Sequence, residues 1–393
     1  MASPNGHGEI LTTHDRARWR ALVAASPGRD AFFLPEYALL FEHLSAGEET
    51  ARLFFWGDGD DYIVYPFFVR PVHHLPFVRA APPGEISPCY DAISPYGYSG
   101  PLACIRHSER ATDLWRGFLR AFHHYCRETG IVCEFARLHP FNGNHVYLQQ
   151  WTGGVRAANP IVYVALEQPE AALWRGFNRG NRSNINKARR NGVRIVRDAD
   201  GAHVEAFYAL YRATMRRNHA DPWYDFSPRF FAESFALLGD SISLFYAEYR
   251  GRIVAAASFL HTGEVVHYFL GGSDSDYLAL RPNNLLMYEA IRWAREAGFR
   301  FFNLGGGYGS GTSLLRFKAG FSDTTTLFYT YRKVHLPDVY DALCRCAAAA
   351  HPGGEEAWAA GAGDFFPLYR ARGMERAAAF SPAQNLSRAG EGR

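Results

Sequence analysis

YEAIRWAREAGFRFFNLGG, residues 288–306, reads as the end of a helix, a glycine stop and an aromatic strand. In the helix, Leu286, Ala290, Trp293 and Ala297 share one face, while Glu289, Arg292 and Glu296 lie mostly on another. Asn283 or Asn284 is placed to cap it, and Gly298 to end it. RAFHHYCRETGIVCEFARL, residues 120–138, repeats this order: a helix over 111–129, the stop Gly130, and a strand over 131–136. The two stretches lie about 170 residues apart. Segments 242–249, 253–260 and 265–270 form an antiparallel meander, with turns at Arg250-Gly251 and Thr262-Gly263. Residues 52–56 and 62–69 form a hairpin across 57–61. Hairpin, helix and strand therefore occur twice, as an internal duplication would arrange them.

The fold class expected is α+β, in two lobes with mostly antiparallel central sheets. The first lobe is placed at 12–155, the second at 156–334, and a C-terminal extension at 335–393. Within the extension, residues 337–350 suit a docked helix, and the Gly/Ala-rich remainder is expected to be partly flexible. The chain length of 393 residues and the 30 Phe and 22 Tyr are ample for two packed cores.

A net charge of +3 is too small to draw nucleic acid to the whole surface, so any polyanion site must be a local patch. No run of 18 apolar residues occurs, and the first residues carry no apolar segment of the signal-peptide kind. A cytoplasmic monomer without stable membrane insertion is the expectation. Six cysteines include one close pair, Cys344 and Cys346, with no second pair to complete a tetrahedral zinc site. Neither H-E-x-x-H nor G-x-S-x-G is present, so no metal or serine-elbow chemistry is expected.

Three clusters carry candidate chemistry. In FRFFNLGGGYGSGTSLLRFKAGFS, residues 299–322, a strand runs into Gly305, Gly306 and Gly307. Backbone N–H groups of such a turn can bind phosphate or an acyl oxyanion, though a tight strand-to-helix connection explains the glycines equally well. Phe317 and Lys318 follow, and a lysine there either sets a charge beside the turn or snorkels from a packed helix.

The second cluster is LWRGFNRGNRSNINKARRNGVRIVR, from Leu173, with Arg182, Lys187, Arg189 and Arg190 on a helix over 182–190 that Asn191-Gly192 ends. RNA, a phosphorylated small ligand and a solvated face all fit this basic block. The third is YDAISPYGYSGPL, from Tyr90, where Asp91, Tyr96 and Tyr98 offer polar groups to an acceptor or simply cover a sheet. Arg137, after the 131–136 strand, is a further candidate anion contact.

LWRGFNRGNRSNINKARRNGVRI, NNLLMYEAIRWAREAGFRFFNLGG and SLLRFKAGFS, in that order, resemble the landmarks of the Fem-type (FemA/FemB/FemX-like) peptidyltransferases, which are related to the N-acetyltransferase (GNAT) fold. SPYGYSGP and EFARLHP resemble first-lobe landmarks of the same superfamily, and the likeness spans about residues 12–332. The resemblance implies two GNAT-like lobes, the first for acceptor recognition and the second for donor binding and catalysis. It implies transfer of an amino acid from aminoacyl-tRNA to an acceptor amine, forming an amide bond without a further cofactor. It implies that Phe317 packs near the terminal adenosine of the tRNA, and that Lys318 contacts phosphate or stabilises the transition state.

Gly100-Pro101-Leu102-Ala103 lacks the aspartate that peptidoglycan-modifying members commonly carry after this landmark, so Asp91 is the candidate acid or base. Residues 197–242 leave no room for the long coiled-coil arm of some members. The acceptor is accordingly a small natural product, as in antibiotic biosynthesis, or a peptidoglycan precursor. An acyl-CoA-dependent N-acyltransferase and a non-catalytic RNA- or peptide-binding module are the competing readings.

Overall fold

A computed structural model of the chain describes residues 7–80, 87–306 and 313–371. These fall into two units. The first comprises the described residues up to Ala158 together with those from Phe328 onward, and the second runs from Asn159 to Leu327.

The first unit contains β1 (His7–Thr12), α1 (Arg16–Ala25), α2 (Pro35–Leu44), β2 (Thr50–Asp58) and β3 (Asp61–Pro71). It continues through α3 (Pro76–Ala80), β4 (Tyr90–Ile93), β5 (Leu102–Cys104), α4 (Ala111–Glu128), β6 (Ile131–Arg137) and α5 (Asn144–Trp151). Its strands run in the order β1-β2-β3-β4-β6, followed by the strand Thr325–Val334, with β5 paired to β3. The β4–β6 pairing is parallel, because α4 carries the chain over the sheet between them. Every fourth or third apolar residue of α4 (Leu114, Trp115, Phe118, Phe122, Cys126) is buried. Phe118 and Phe122 lie against Phe54, Tyr65 and Phe67 of the hairpin. Each such aromatic contributes roughly 1.5–3 kcal/mol by burial.

The second unit takes up β7 (Val155–Ala165), α6 (Glu170–Gly176), α7 (Arg179–Arg190), β8 (Arg194–Asp198), α8 (Val204–Arg217) and α9 (Pro228–Leu238). Then come β9 (Ile242–Tyr249), β10 (Arg252–Thr262), β11 (Val265–Ser273), α10 (Pro282–Glu296), β12 (Phe301–Gly305), α11 (Ser313–Ala319) and β13 (Thr325–Val334). The strand order is β7-β12-β11-β10-β9-β8. Here β11 and β12 are the parallel pair, joined across α10 as β4 and β6 are across α4. The core gathers Ile185, Phe245, Val254, Phe259, Leu286, Ile291 and Phe302.

Three expectations are corrected by these elements. Helix α10 starts on Pro282 after Arg281 in the left-handed region, so neither Asn283 nor Asn284 is its cap. Its buried stripe is Leu286, Ala290, Ile291 and Ala294, and Ala297 is exposed beyond the last turn. Helix α7 begins at Arg179 rather than Arg182, because the Asn178 side chain accepts a hydrogen bond from the Asn181 N–H at 2.8 Å.

The lobe limits also shift at the C-terminal side. Residues from Phe328 belong to the first unit, where β13 pairs antiparallel with β6 from Thr330↔Arg137 to Val334↔Cys133. The extension adds to this unit through α12 (Pro337–Ala349), whose Leu343 and Ala347 pack with Val72, Val132 and Tyr369. Among the described residues, no helix is long and apolar enough to cross a membrane.

Candidate active site

β11 and β12 pair only over Val265–His267 and Phe301–Asn303, although β11 continues to Ser273 along β10 and β12 to Gly305 along β7. Beyond His267 and Asn303 the two parallel strands pair no further among the described residues. That end of a parallel pair is where α/β sheets place ligands. The register of β12 also shifts between Asn303 and Gly305, a local irregularity of the kind that re-aims backbone beside sites. Gly305 has φ +74°, which a side chain would resist, and its N–H donates to Asn303 Oδ1 at 2.8 Å. Asn303 is itself buried and meets His267 Nδ1 at 3.0 Å.

Lys318 comes into this place from α11. Its side chain is buried, with 7% of its surface exposed, and Nζ donates to the Gly306 carbonyl at 2.5 Å. Burial lowers its pKa from 10.5 to about 7. The ammonium also lies 5.9 Å from the centre of the Tyr268 ring. Tyr268 is raised to about 12 by burial and stays a neutral phenol. A Cβ on Gly271 would fall 2.3 Å from the Tyr268 hydroxyl, so the glycine makes room for the ring to lie along β11.

Phe317 is half-buried and packs on Phe321 at 5.3 Å between ring centres. An amide network secures the helix that holds this pair. Asn181 Nδ2 donates to Gly320 O at 2.9 Å, Asn284 Nδ2 donates to Asn181 Oδ1 at 2.6 Å, and Asn178 N donates to Gly320 O at 3.1 Å. The first turns of α7 and α10 are thereby tied to the end of α11.

The sequence-selected residues separate by location. Lys318, Phe317, Gly305 and Gly306 come together in the second unit, and Gly307 lies outside the described residues. The basic block divides. Arg182 turns inward and donates to the carbonyls of Arg175 and Phe177 at 2.9 and 2.5 Å, which makes it a cap for the end of α6 rather than a surface cation. Arg189 is paired with Glu289 at 2.9 Å and sits 4.7 Å from the Tyr288 ring centre. Lys187 and Arg190 are exposed.

Asp91, Tyr96, Tyr98 and Arg137 all lie in the first unit; Asp91 sits near the start of β4, Arg137 ends β6, and Tyr96 and Tyr98 follow β4. Ser94 Oγ accepts from Arg137 N at 3.0 Å, and Arg137 is buried. Tyr96 is half-buried, and its carbonyl accepts from Tyr37 Oη at 2.9 Å. The Tyr98 ring contacts those of Phe32 and Phe328.

The expectation of Asp91 as an acid or base is corrected. It is fully buried, with Arg70 Nε at 2.6 Å, Arg370 Nε at 2.5 Å and Tyr369 Oη at 3.1 Å. Burial pushes its carboxyl up, but the Arg370 and Arg70 guanidinium groups outweigh that and hold it below the usual carboxylate range. It is a structural anion that fixes the chain near residue 370 to β4.

Two polar residues escaped sequence reading: His139 and Asp30, both buried, with Nε2 and Oδ2 3.2 Å apart. They are 109 positions apart in the chain, and no local pattern links them. The Asn178–Asn181–Asn284 network was also unread, although all three residues lie within the quoted landmarks.

Residues 176–318 match the acetyltransferase (GNAT) domain family. Over these residues the fold is that of a GNAT acetyltransferase domain. The crystal structure of FemX is similar over 85% of this chain and 99% of its own, with a TM-score of 0.64 at 14% identity. A conserved protein of unknown function from Bacteroides thetaiotaomicron is similar over 82% of this chain and 98% of its own, with a TM-score of 0.51 at 14% identity. No curated protein matches the sequence. The GNAT match ends on Lys318, so β11, β12 and Lys318 all fall within it.

Proposed function

We propose that the protein is an N-acyltransferase, with the donor carbonyl held at the carboxyl ends of β11 and β12 and attacked there by an acceptor amine. The observation that carries this reading is Lys318, a buried amine that donates to the Gly306 carbonyl just past the end of β12, where burial also lowers its pKa to about 7. A group titrating there exchanges a proton at neutral pH, which suits acid–base work better than a permanent positive charge. In the reaction the amine nitrogen forms a bond to the carbonyl carbon, and a tetrahedral oxyanion develops. Neutral Lys318 accepts the proton released by the nitrogen. The bond from carbon to the donor oxygen or sulfur then breaks, and the proton passes to that leaving group. Alignment of the two substrates supplies much of the remaining acceleration.

The donor we favour is an aminoacyl-tRNA, whose ester is already activated and requires no cofactor. Support comes from the exposed cations Lys187 and Arg190 on α7, the helix tied by Asn181 to the end of α11. The acceptor is then a small natural-product amine or a peptidoglycan precursor, with Tyr96, Tyr98 and Arg137 as its candidate contacts. A second reading, transfer from acyl-CoA, draws support from the match of residues 176–318 to acetyltransferase domains. Product mass measured after incubation with total aminoacylated tRNA, or with acyl-CoA, and a panel of amines tests both. RNase abolishes product in the first reading and leaves it in the second. Absence of product with either donor defeats the proposal.

A further inference from the structure

A cavity of about 490 Å³ opens in the first unit among Thr152, Gly153, Gly154, Arg156, Arg332, Lys333, Val334, Asp364 and Phe366, and none of these belongs to the site described above. We propose that it is a binding site for a phosphoryl group carried on a small molecule with an apolar part.

Charge is the first argument. Arg156 and Arg332 face a single acid, Asp364, while Lys333 borders the cavity through its backbone and turns its side chain to the other face of β13, toward His123. Asp364 is almost wholly exposed and lies 3.6 Å from Arg332 Nη1, a distance and setting that neutralise little. Among the described residues, Arg156 forms no ion pair. Arg156 Nη1 is steadied by the carbonyls of Gly153 and Val155 at 2.6 and 3.0 Å, which fixes the guanidinium while leaving its other N–H groups to a ligand.

The second argument is an unmet donor. Arg332 Nε is shielded from solvent and has no hydrogen-bond acceptor among the described residues. A buried guanidinium N–H without an acceptor is costly, and an oxyanion entering the cavity supplies one. The third is shape. The volume lies in the range of small-molecule sites, and Phe366 and Val334 give it an apolar wall. The Arg332 guanidinium lies 5.9 Å from the Phe366 ring centre, so charge and apolar surface adjoin.

The groove beside α10 in the second unit makes the contrast. It too is lined by arginines, but Arg189 and Arg292 already hold Glu289 at 2.9 Å, and Arg292 also holds Glu296 at 3.2 Å. That groove is largely self-neutralised, whereas the first-unit cavity keeps an excess of positive charge.

Titration calorimetry of the whole chain with inorganic pyrophosphate and with AMP tests the proposal. Saturable one-site binding of both is expected, weakened at least about tenfold in Arg156→Gln and in Arg332→Gln. Thermal unfolding of each variant checks that it is folded, and the exposed Arg156→Gln serves if Arg332→Gln is not. Lys318→Met is expected to bind both probes as wild type does, which separates this site from the acyl-transfer reading. Absence of saturable binding, or binding by Arg156→Gln equal to that of wild type, overturns the proposal. Displacement of pyrophosphate by a short RNA but not by AMP also overturns it, and assigns the cavity to nucleic acid instead.

Discussion

Lys318 holds its place against its own solvation. Between its folded pKa of about 7 and its ordinary 10.5, the unfolded chain binds a proton that the folded chain does not. Stability therefore rises with pH across that window, and the full cost, at most about 5 kcal/mol, is present below it. Lys318→Met removes the cost. Denaturant unfolding at pH 7 is expected to find this variant at least as stable as wild type, while acyl transfer falls by a factor of about 100 or more. A destabilised but active Lys318→Met would return the lysine to a packing role. In wild type, kcat/KM is expected to rise with pH through about 7 as Lys318 becomes neutral. A fall over the same interval would assign it the role of a cation instead. Asp91 answers differently. Asp91→Ala leaves Arg70 and Arg370 buried without their anion, and should cost roughly 3–5 kcal/mol in stability.

Among the elements, α7 joins structure to the donor reading. Its cap and its contact with Gly320 both run through asparagine side chains, so Asn178→Ala should lower stability by about 1 kcal/mol. Asn181→Ala removes the direct tie to α11, and is expected to reduce transfer more than stability, as a comparison of single-turnover rates with unfolding midpoints will show. The exposed face of the same helix bears on tRNA. Replacing Lys187 and Arg190 with Gln should weaken tRNA use and flatten its dependence on salt, whereas Arg182→Gln should act mainly on stability. The periodicity of α4 and α10 was legible because a buried stripe repeats every turn. The starts of α7 and α10 were not, since Pro282 and Asn178 act through backbone geometry and a single side-chain hydrogen bond.

For the molecule as a whole, the chain leaves its first unit within β7 and returns to it within β13. Ending the chain at Val334 would remove α12 and the Tyr369–Arg370 pair that meets Asp91. Such a truncation is expected to unfold the first unit, visible as loss of protease resistance in residues 1–158, and retention of that resistance would show the C-terminal segment to be dispensable. Sequence alone determined the repeated hairpin–helix–strand order, the α+β class and the strand that runs into Gly305, because periodicity and turn chemistry are local. Only tertiary structure decided that Asp91 is locked between two arginines, that Arg182 points inward and that Lys318 is dry. Asp91 meets an arginine 279 positions away, Arg182 and Lys318 meet backbone carbonyls that only the folded path of the chain presents to them, and the pKa of an amine follows from what surrounds it.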